Sequence, residues 1–414
     1  MNVSGELPTS VAKEVTARRR SGAFDVFSAF LKLGLTSFGG PVAHLGYFND
    51  EFVRRRKWLD EETFMQIVAL SQLLPGPSSS QVGMIIGLER AGAIGAASAW
   101  IAFTLPSAIL LTAFALGLAR FPGIAASPWV HGLLIAAVAV VALAVATMYQ
   151  KLCPDVPRRA VAFLAAAAIL LLPGSGFAQL GVIAAGALYG AFFVAPSPSR
   201  ARAIAFAGGK GIAVACALLF VTLLVVFPVL NDRLHGTILN VFGSFYESGA
   251  LVFGGGHIVL PLLEARTVPA GWISPTTFLA GYGAAQAVPG PLFSFAAYLG
   301  AAMHGPVSGV PGAALTLFAI YLPSFLLIAA VLPFWSELTR SARMSASLQG
   351  VNASVVGILL AGLYRPVWVS AVHTPHDAAL TLLAFLLLSI CKTPPWIVVV
   401  FCAVGAQILA SATL

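Results

Sequence analysis

Ser78-Ser79-Ser80 follow directly on Pro75-Gly76-Pro77. A helix that starts at these serines begins with unpaired N–H groups and the positive end of its dipole. Three hydroxyls add further donors. Such a site holds an oxyanion without a formal charge and can still release it. The same serines could instead only cap the helix. The break recurs: Gln72-Leu73-Leu74-Pro75-Gly76-Pro77 returns as Gln286-Ala287-Val288-Pro289-Gly290-Pro291, followed by the less polar Leu292-Phe293-Ser294. Both copies lie in apolar sequence, where Pro-Gly-Pro stops a helix and frees backbone groups that need partners. Interrupted helices at equivalent places in two halves are how membrane transporters build a binding site.

Other residues near these breaks carry chemistry of their own. Phe38-Gly39-Gly40-Pro41 and Phe253-Gly254-Gly255-Gly256 are a second pair of breaks, suited to close backbone approach at a site or to tight helix packing. Lys32 corresponds to Glu247, so one half carries a cation where the other carries an anion. The two could pair across the pseudo-twofold, or one could bind substrate while the other titrates; snorkelling to the interface is the alternative. His44 and His257 follow the glycine breaks and are candidate proton carriers, or structural residues beside a turn. Gln72 and Gln286 are expected to brace the breaks or touch a ligand. Glu51 and Glu264 fall near hairpin ends, at the interface. Arg54-Arg55-Arg56-Lys57 reads as a topological signal in contact with lipid headgroups, with the gathering of anions as a second use.

The elements that position these residues are too short to cross a bilayer singly. Phe24–Phe38 is followed by Gly39-Gly40-Pro41 and the amphipathic Val42–Val53; Glu61–Leu74 is followed by Pro-Gly-Pro and Ser78–Leu88. Helices of about 13 residues rise only about 20 Å against a core of about 30 Å. Each pair therefore reads as a re-entrant hairpin. Crossings are expected at Ala91–Ala119, Trp129–Gln150, Arg159–Leu172 and Phe177–Val194, with an odd helix at Gly211–Leu230. That odd helix turns the second half upside down. Its hairpins (about Leu239–Leu263 and Pro275–Met303) enter from the other face, and crossings follow at Pro306–Trp335, Ala346–Tyr364, Ala378–Ile390 and Trp396–Leu414. The halves match at a steady offset of 213 to 217 residues, as at Trp58 and Trp272 or Leu105-Pro106-Ser107 and Leu322-Pro323-Ser324. A steady offset means duplication. Under this topology only Arg120, Arg233, Arg266 and Arg365 lie outside and Lys32 lies inside a hairpin; the rest of the 23 Lys and Arg are cytoplasmic. That is the positive-inside rule obeyed by an inverted repeat, with the N-terminus cytoplasmic and the C-terminus outside.

Composition agrees. Of 414 residues, 59% are hydrophobic and 9% are charged, where a soluble protein carries about 25% charged. The expected fold is an all-α polytopic membrane protein: an inverted-topology repeat whose broken hairpins meet near the midplane. Its expected parts are an N-terminal segment over 1–23, a first repeat over 24–195, a linker and odd helix over 196–230, and a second, inverted repeat over 231–414. No cleaved signal peptide is expected, because the first 23 residues are polar and basic without an apolar core. The net charge of +8 is charge retained on cytoplasmic loops and implies no nucleic acid. Cys153, Cys216, Cys391 and Cys402 are scattered and read as packing residues, so neither a disulfide framework nor a metal site is expected. Gly208-Gly209-Lys210-Gly211 lacks the spacing of a phosphate loop, and no cofactor is expected.

Phe38-Gly39-Gly40-Pro41-Val42-Ala43-His44, Glu51-Phe52-Val53-Arg54-Arg55, Trp58-Leu59 and the first Pro-Gly-Pro segment together resemble the chromate ion transporter family. So do Phe253-Gly254-Gly255-Gly256-His257, Gly271-Trp272, the second Pro-Gly-Pro segment through Phe293, and Ala296-Ala297-Tyr298-Leu299-Gly300. The resemblance covers both halves, as in the long, two-domain form. It implies a secondary transporter rather than an enzyme, exporting chromate across the inner membrane, conferring chromate resistance and drawing on the proton motive force. A sulfate or other oxyanion transporter of the same architecture is the alternative. A membrane-embedded enzyme or lipid-handling protein is remote, since the serines have no histidine beside them in sequence. The expected partners are an oxyanion, the lipid bilayer and, as one assembly, a second copy in a homodimer. The substrate-binding set is then Lys32, Gly39, Gly40, Gln72, Pro75 through Ser80, Gly254, Gly255, Gln286, Pro289 through Pro291 and Ser294. His44, Glu247 and His257 are the candidates for coupling.

Overall fold

A computed structural model describes residues 9–37, 40–120, 127–172, 176–194, 209–234, 236–252, 259–335 and 342–412, all helix, turn or loop. The first repeat comprises α1 (Thr9–Thr36), α2 (Gly40–Phe48), α3 (Glu61–Leu73), α4 (Ser78–Arg120), α5 (Pro128–Leu152), α6 (Val156–Leu171) and α7 (Gly176–Phe193). α8 (Lys210–Leu234) stands between the repeats. The second has α9 (Ile238–Ala250), α10 (Val259–Thr267), α11 (Pro275–Ala287), α12 (Phe295–Ala302), α13 (Gly309–Val331), α14 (Ala342–Gly362), α15 (Pro375–Ser389) and α16 (Pro395–Ala412). Gly39, Gly254, Gly255 and His257 lie outside the described residues.

α1 differs from expectation. It begins at Thr9 and runs 28 residues, because the basic stretch before Phe24 contains no proline and the Ser21-Gly22 step is held in the helix, with Gly22 packed on Arg90 and Ala91. The hairpin survives this change. α2 and the π-wound Asn49–Arg55 that continues it run back along α1, with Phe48 and Phe52 on Phe30 at ring separations of 5.5 and 4.8 Å.

The second hairpin is built by two glycines. α4 is bent at Ala91 and Gly92, where Gly92 takes φ 64°. Ser78–Arg90 therefore folds back on the long leg that follows. Gly87 and Gly95 face each other so closely that a Cβ on either would strike the other's carbonyl. α1 runs parallel to the long leg, with Gly22 against Arg90 and Ala91 and Gly34 against Ala102 and Phe103. The Arg56 and Arg90 guanidinium groups lie 5.1 and 5.2 Å from the centre of the Trp58 ring, so both hairpins close on one side.

The second repeat copies these devices. Gly309 takes φ 64° between α12 and α13, Gly300 abuts Gly312, and Gly249 abuts the backbone of Ile320. Parity makes the copy inverted. The hairpins return to their own side, α4 and α5 cross and come back, and the paired α6 and α7 leave the side unchanged. α8 then crosses alone. Its apolar stretch Lys210–Leu230 has a mean hydropathy of 2.9. This is an all-α polytopic membrane protein.

The outer helices are exchanged between repeats. Gly132 of α5 packs on the backbone of Cys402 and Ala403 in α16, while Gly186 and Gly190 of α7 pack on Gly350 of α14. Polar bolts fix both exchanges. His131 pairs with Asp377 at 2.9 Å, and Arg158 donates to Gln349 Oε1 at 2.6 Å. Asp155, between α5 and α6, caps α6 and receives the Arg158 guanidinium. The Arg158 side chain and then its backbone N–H hold the Asp155 carboxyl below the usual carboxylate range. With a depressed folded value, this contribution is complete above the unfolded value and lost as pH falls through the folded one. Asp155→Ala should lower stability by about 1 kcal/mol at neutral pH. In thermal unfolding of the purified protein, the gap between variant and wild type should close on acidification.

Candidate functional site

The two Pro-Gly-Pro breaks each reach the opposite repeat through one of two reciprocal hydrogen bonds. Gly76 N–H donates to Val252 O at 2.6 Å, and Gly290 N–H donates to Ser37 O at 2.9 Å. Each Pro-Gly-Pro tip of one repeat thus docks on the end of the first helix in the other. Only glycine fits there. Gly76 takes φ 125° and Gly290 φ 105°. A Cβ on Gly76 would stand 2.5 Å from Gln81 Nε2 and from Ser324 Oγ; one on Gly290 would stand 2.9 Å from Ser107 Oγ. Ser107 and Ser324 occupy the middle of the long helices α4 and α13, one residue after the inserted Pro106 and Pro323.

Around the tips lies a buried polar network. Ser79 Oγ is 3.2 Å from His44 Nδ1, and Ser80 Oγ is 3.3 Å from the Tyr321 hydroxyl. Gln81 Nε2 donates to Pro75 O at 2.7 Å and to Ser324 Oγ at 3.3 Å. Ser78 is half-buried; Pro77, Ser79 and Ser80 are buried. Buried polar atoms near the breaks also lack a partner among the described residues: Ser37 Oγ, Ser71 Oγ, Gln81 Oε1, Trp100 Nε1 and Gln286 Nε2. An unpaired buried polar group costs about 1–3 kcal/mol, so such a concentration points to groups kept for a ligand.

These atoms are one-sided. All but Gln286 belong to the first repeat, and their counterparts in the second are Val252, Ala285, Phe295 and Leu317. Ser294 Oγ turns back to its own Pro291 O at 2.7 Å, while Pro289 and Pro291 are buried. The second tip is a dry wall facing a polar one.

The structure redistributes the remaining candidates. Lys32 and Glu247 do not pair across the pseudo-twofold. Lys32 Nζ binds Glu51 at 3.2 Å, and Glu247 binds Arg266. Each pair joins the two arms of one hairpin because both partners lie 19 residues apart on facing helices. The pairs occupy equivalent positions with their charges exchanged. Glu51 is accordingly buried rather than interfacial, accepting from Lys32, Arg55 and Arg56. Gln72 lies on the exposed face of α3, outside the network just described, and Gln286 is half-buried. Gly40 takes φ 76° at the start of α2 with open space around it. Gln81, Thr104, Ser107, Tyr321 and Ser324 were not singled out by sequence. Their signal is a polar side chain recurring beside a repeated break, as in Leu105-Pro106-Ser107 and Leu322-Pro323-Ser324.

The chain is similar to known transport proteins. The chromate transporter family model matches residues 24–191 and again 239–406. A chromate transport protein of Pseudomonas aeruginosa is 29% identical over 84% of this chain and 82% of its own length. One from Cupriavidus metallidurans is 28% identical over 80% and 79%. A probable chromate transport protein of Synechococcus elongatus is 26% identical over 80% and 81%. No solved structure matches the chain. Two consecutive matches across an inverted pair of broken hairpins leave one assignment: the chain belongs to the chromate transporter family, whose members are transport proteins and not enzymes.

Proposed function

We propose that this protein exports chromate from the cytoplasm across the inner membrane and so confers chromate resistance. The observation that carries the reading is the meeting of the Pro-Gly-Pro tips amid a buried polar network, with unpartnered donors on Ser37, Ser71, Trp100 and Gln286. Hydroxyls, an imidazole, amides and the N–H groups at the start of α4 suit a tetrahedral oxyanion, and no side-chain charge is needed to hold it. The N-terminus lies in the cytoplasm and the C-terminus outside, a placement supported by the basic residues on the hairpin bases. Export of a dianion is favoured by an inside-negative potential, by about 2.3 kcal/mol per charge per 100 mV. Proton coupling through His44 would add to that drive.

Transport direction is tested in vesicles. Everted vesicles should accumulate chromate, and right-side-out vesicles should not; uptake only in the latter would overturn export. Sulfate is the second reading, favoured by one observation. The donors at the tips recognise charge and tetrahedral shape, which chromate and sulfate share. Sulfate should therefore compete, and competition stronger than chromate's own uptake would reassign the substrate. Ser79→Ala and His44→Ala should each raise the KM for chromate about tenfold, the loss expected of one hydrogen bond to a charged group.

A further inference from the structure

We infer that Lys32, Arg55 and Arg56, gathered on Glu51, form an anion-capture site matched to a divalent tetrahedral oxyanion, upstream of the Pro-Gly-Pro tips. The inference rests on the transport reading above and adds to it a second place where the anion is held.

Charge is the first argument. Three cations share one carboxylate: Lys32 Nζ at 3.2 Å, Arg55 Nη1 at 2.9 Å and Arg56 Nε at 2.7 Å. The cluster therefore carries two uncompensated positive charges, and a dianion makes it neutral. The adjacent Arg54 and Asp50 neutralise each other at 3.0 Å and leave this excess unchanged. Lys32 and Arg55 are 52% and 63% exposed at the side chain while Glu51 is 6% exposed. The carboxylate is thus a buried hub, and the spare N–H donors face outward.

Access is the second argument. Asp25, Ser28, Lys32 and Thr36 are all exposed and recur at helical spacing along one face of α1. This polar stripe leads from the hairpin base to Ser37, whose carbonyl receives Gly290 of the second tip. Lys32 lies about 7 Å of helix rise from that point. The equivalent positions in the second repeat are Asn240, Gly243, Glu247 and Leu251, and all are buried. α8 covers that side, with Phe227 against Gly243. The Glu247–Arg266 pair there is balanced one to one. Capture is therefore built on one face of the inverted pair, the face that carries the N-terminus.

The test is chromate transport by purified protein in proteoliposomes at low and high ionic strength. Lys32→Gln and Arg55→Gln should each raise KM about tenfold at low salt, or about 1.4 kcal/mol, with Vmax little changed. Both should converge on wild type at high salt, because the screening length falls from about 10 Å at 0.1 M to about 3 Å at 1 M. In either variant Glu51 keeps two cations, so the hairpin stays paired. A lower Vmax at unchanged KM would overturn the inference and leave the cluster a clamp between hairpin arms. So would an unchanged KM together with loss of co-purifying phospholipid, which would make it a lipid-headgroup contact. Wild-type protein that moves neither chromate nor sulfate would overturn the transport reading itself; active wild type with variants identical to it would overturn only the capture site.

Discussion

Gly76→Ala is expected to abolish chromate uptake into everted vesicles while the protein still reaches the membrane. The glycine is held at φ 125° and its N–H reaches Val252 O across the pseudo-twofold at 2.6 Å. Any L side chain at such a φ costs about 1–2 kcal/mol from backbone strain alone. The added Cβ would also stand 2.5 Å from Gln81 Nε2 and Ser324 Oγ. Relief requires the tip to retreat from Val252, which breaks the only backbone bond that Gly76 is shown to make to the other repeat and moves Ser78–Ser80 with it. A displacement worth about 2.7 kcal/mol is a factor of about 100 in rate. Gly290→Ala, with its Cβ 2.9 Å from Ser107 Oγ and 3.2 Å from Phe103 O, should behave alike. Gly117→Ala is the control: no atom lies within 4 Å of its Cβ, and alanine favours a helix interior. Wild-type uptake by Gly76→Ala would remove the tips from the transport site.

Much of this arrangement is legible in sequence because it is written in backbone chemistry. Proline and glycine act locally, so two copies of Pro-Gly-Pro announce two interrupted helices whatever surrounds them. The distribution of arginine and lysine gives an expected sense of insertion. The helix limits follow closely as well: α6, expected over Arg159–Leu172, spans Val156–Leu171, and α15, expected over Ala378–Ile390, spans Pro375–Ser389. What sequence does not give is partnership. Glu51 shows nothing in its neighbourhood to distinguish a solvated carboxylate from a buried hub; only the return of α2 beside α1 decides it. The exchange of α5 and α14 between repeats is equally silent, since small residues such as Gly132 and Gly350 fit any close helix contact. Tyr321 and Ser324 read as ordinary members of an apolar span until α13 brings them to the opposite tip. The polar wall of the first repeat and the dry wall of the second were visible one residue type at a time. Their separation into two sides of one site required the pseudo-twofold.

The two charge-exchanged ion pairs should respond differently to the loss of one partner. In the second repeat Glu247 is 4% exposed and Arg266 is 24% exposed at the side chain, each the other's one ion-pair partner among the described residues. Glu247→Ala leaves a half-buried guanidinium uncompensated, which costs up to about 3 kcal/mol. That is a large share of a typical stability of about 5–15 kcal/mol. The variant should unfold at markedly lower temperature and accumulate poorly in membranes. In the first repeat Lys32 is half exposed, and its removal leaves Glu51 with Arg55 and Arg56, so Lys32→Ala should cost less than about 1 kcal/mol. The first repeat also supplies the rescue. It carries a cation on the entering helix and an anion on the returning one, the reverse of the second repeat. Glu247→Lys combined with Arg266→Glu installs that order and should recover most of the lost stability, although neither single change does. If Glu247→Ala melts like wild type, or the exchanged pair fails to rescue, the pairs are not interchangeable clamps between hairpin arms. A rescued variant that is stable yet inactive would show that the orientation of the charges, and not only their pairing, matters to the passage of the anion.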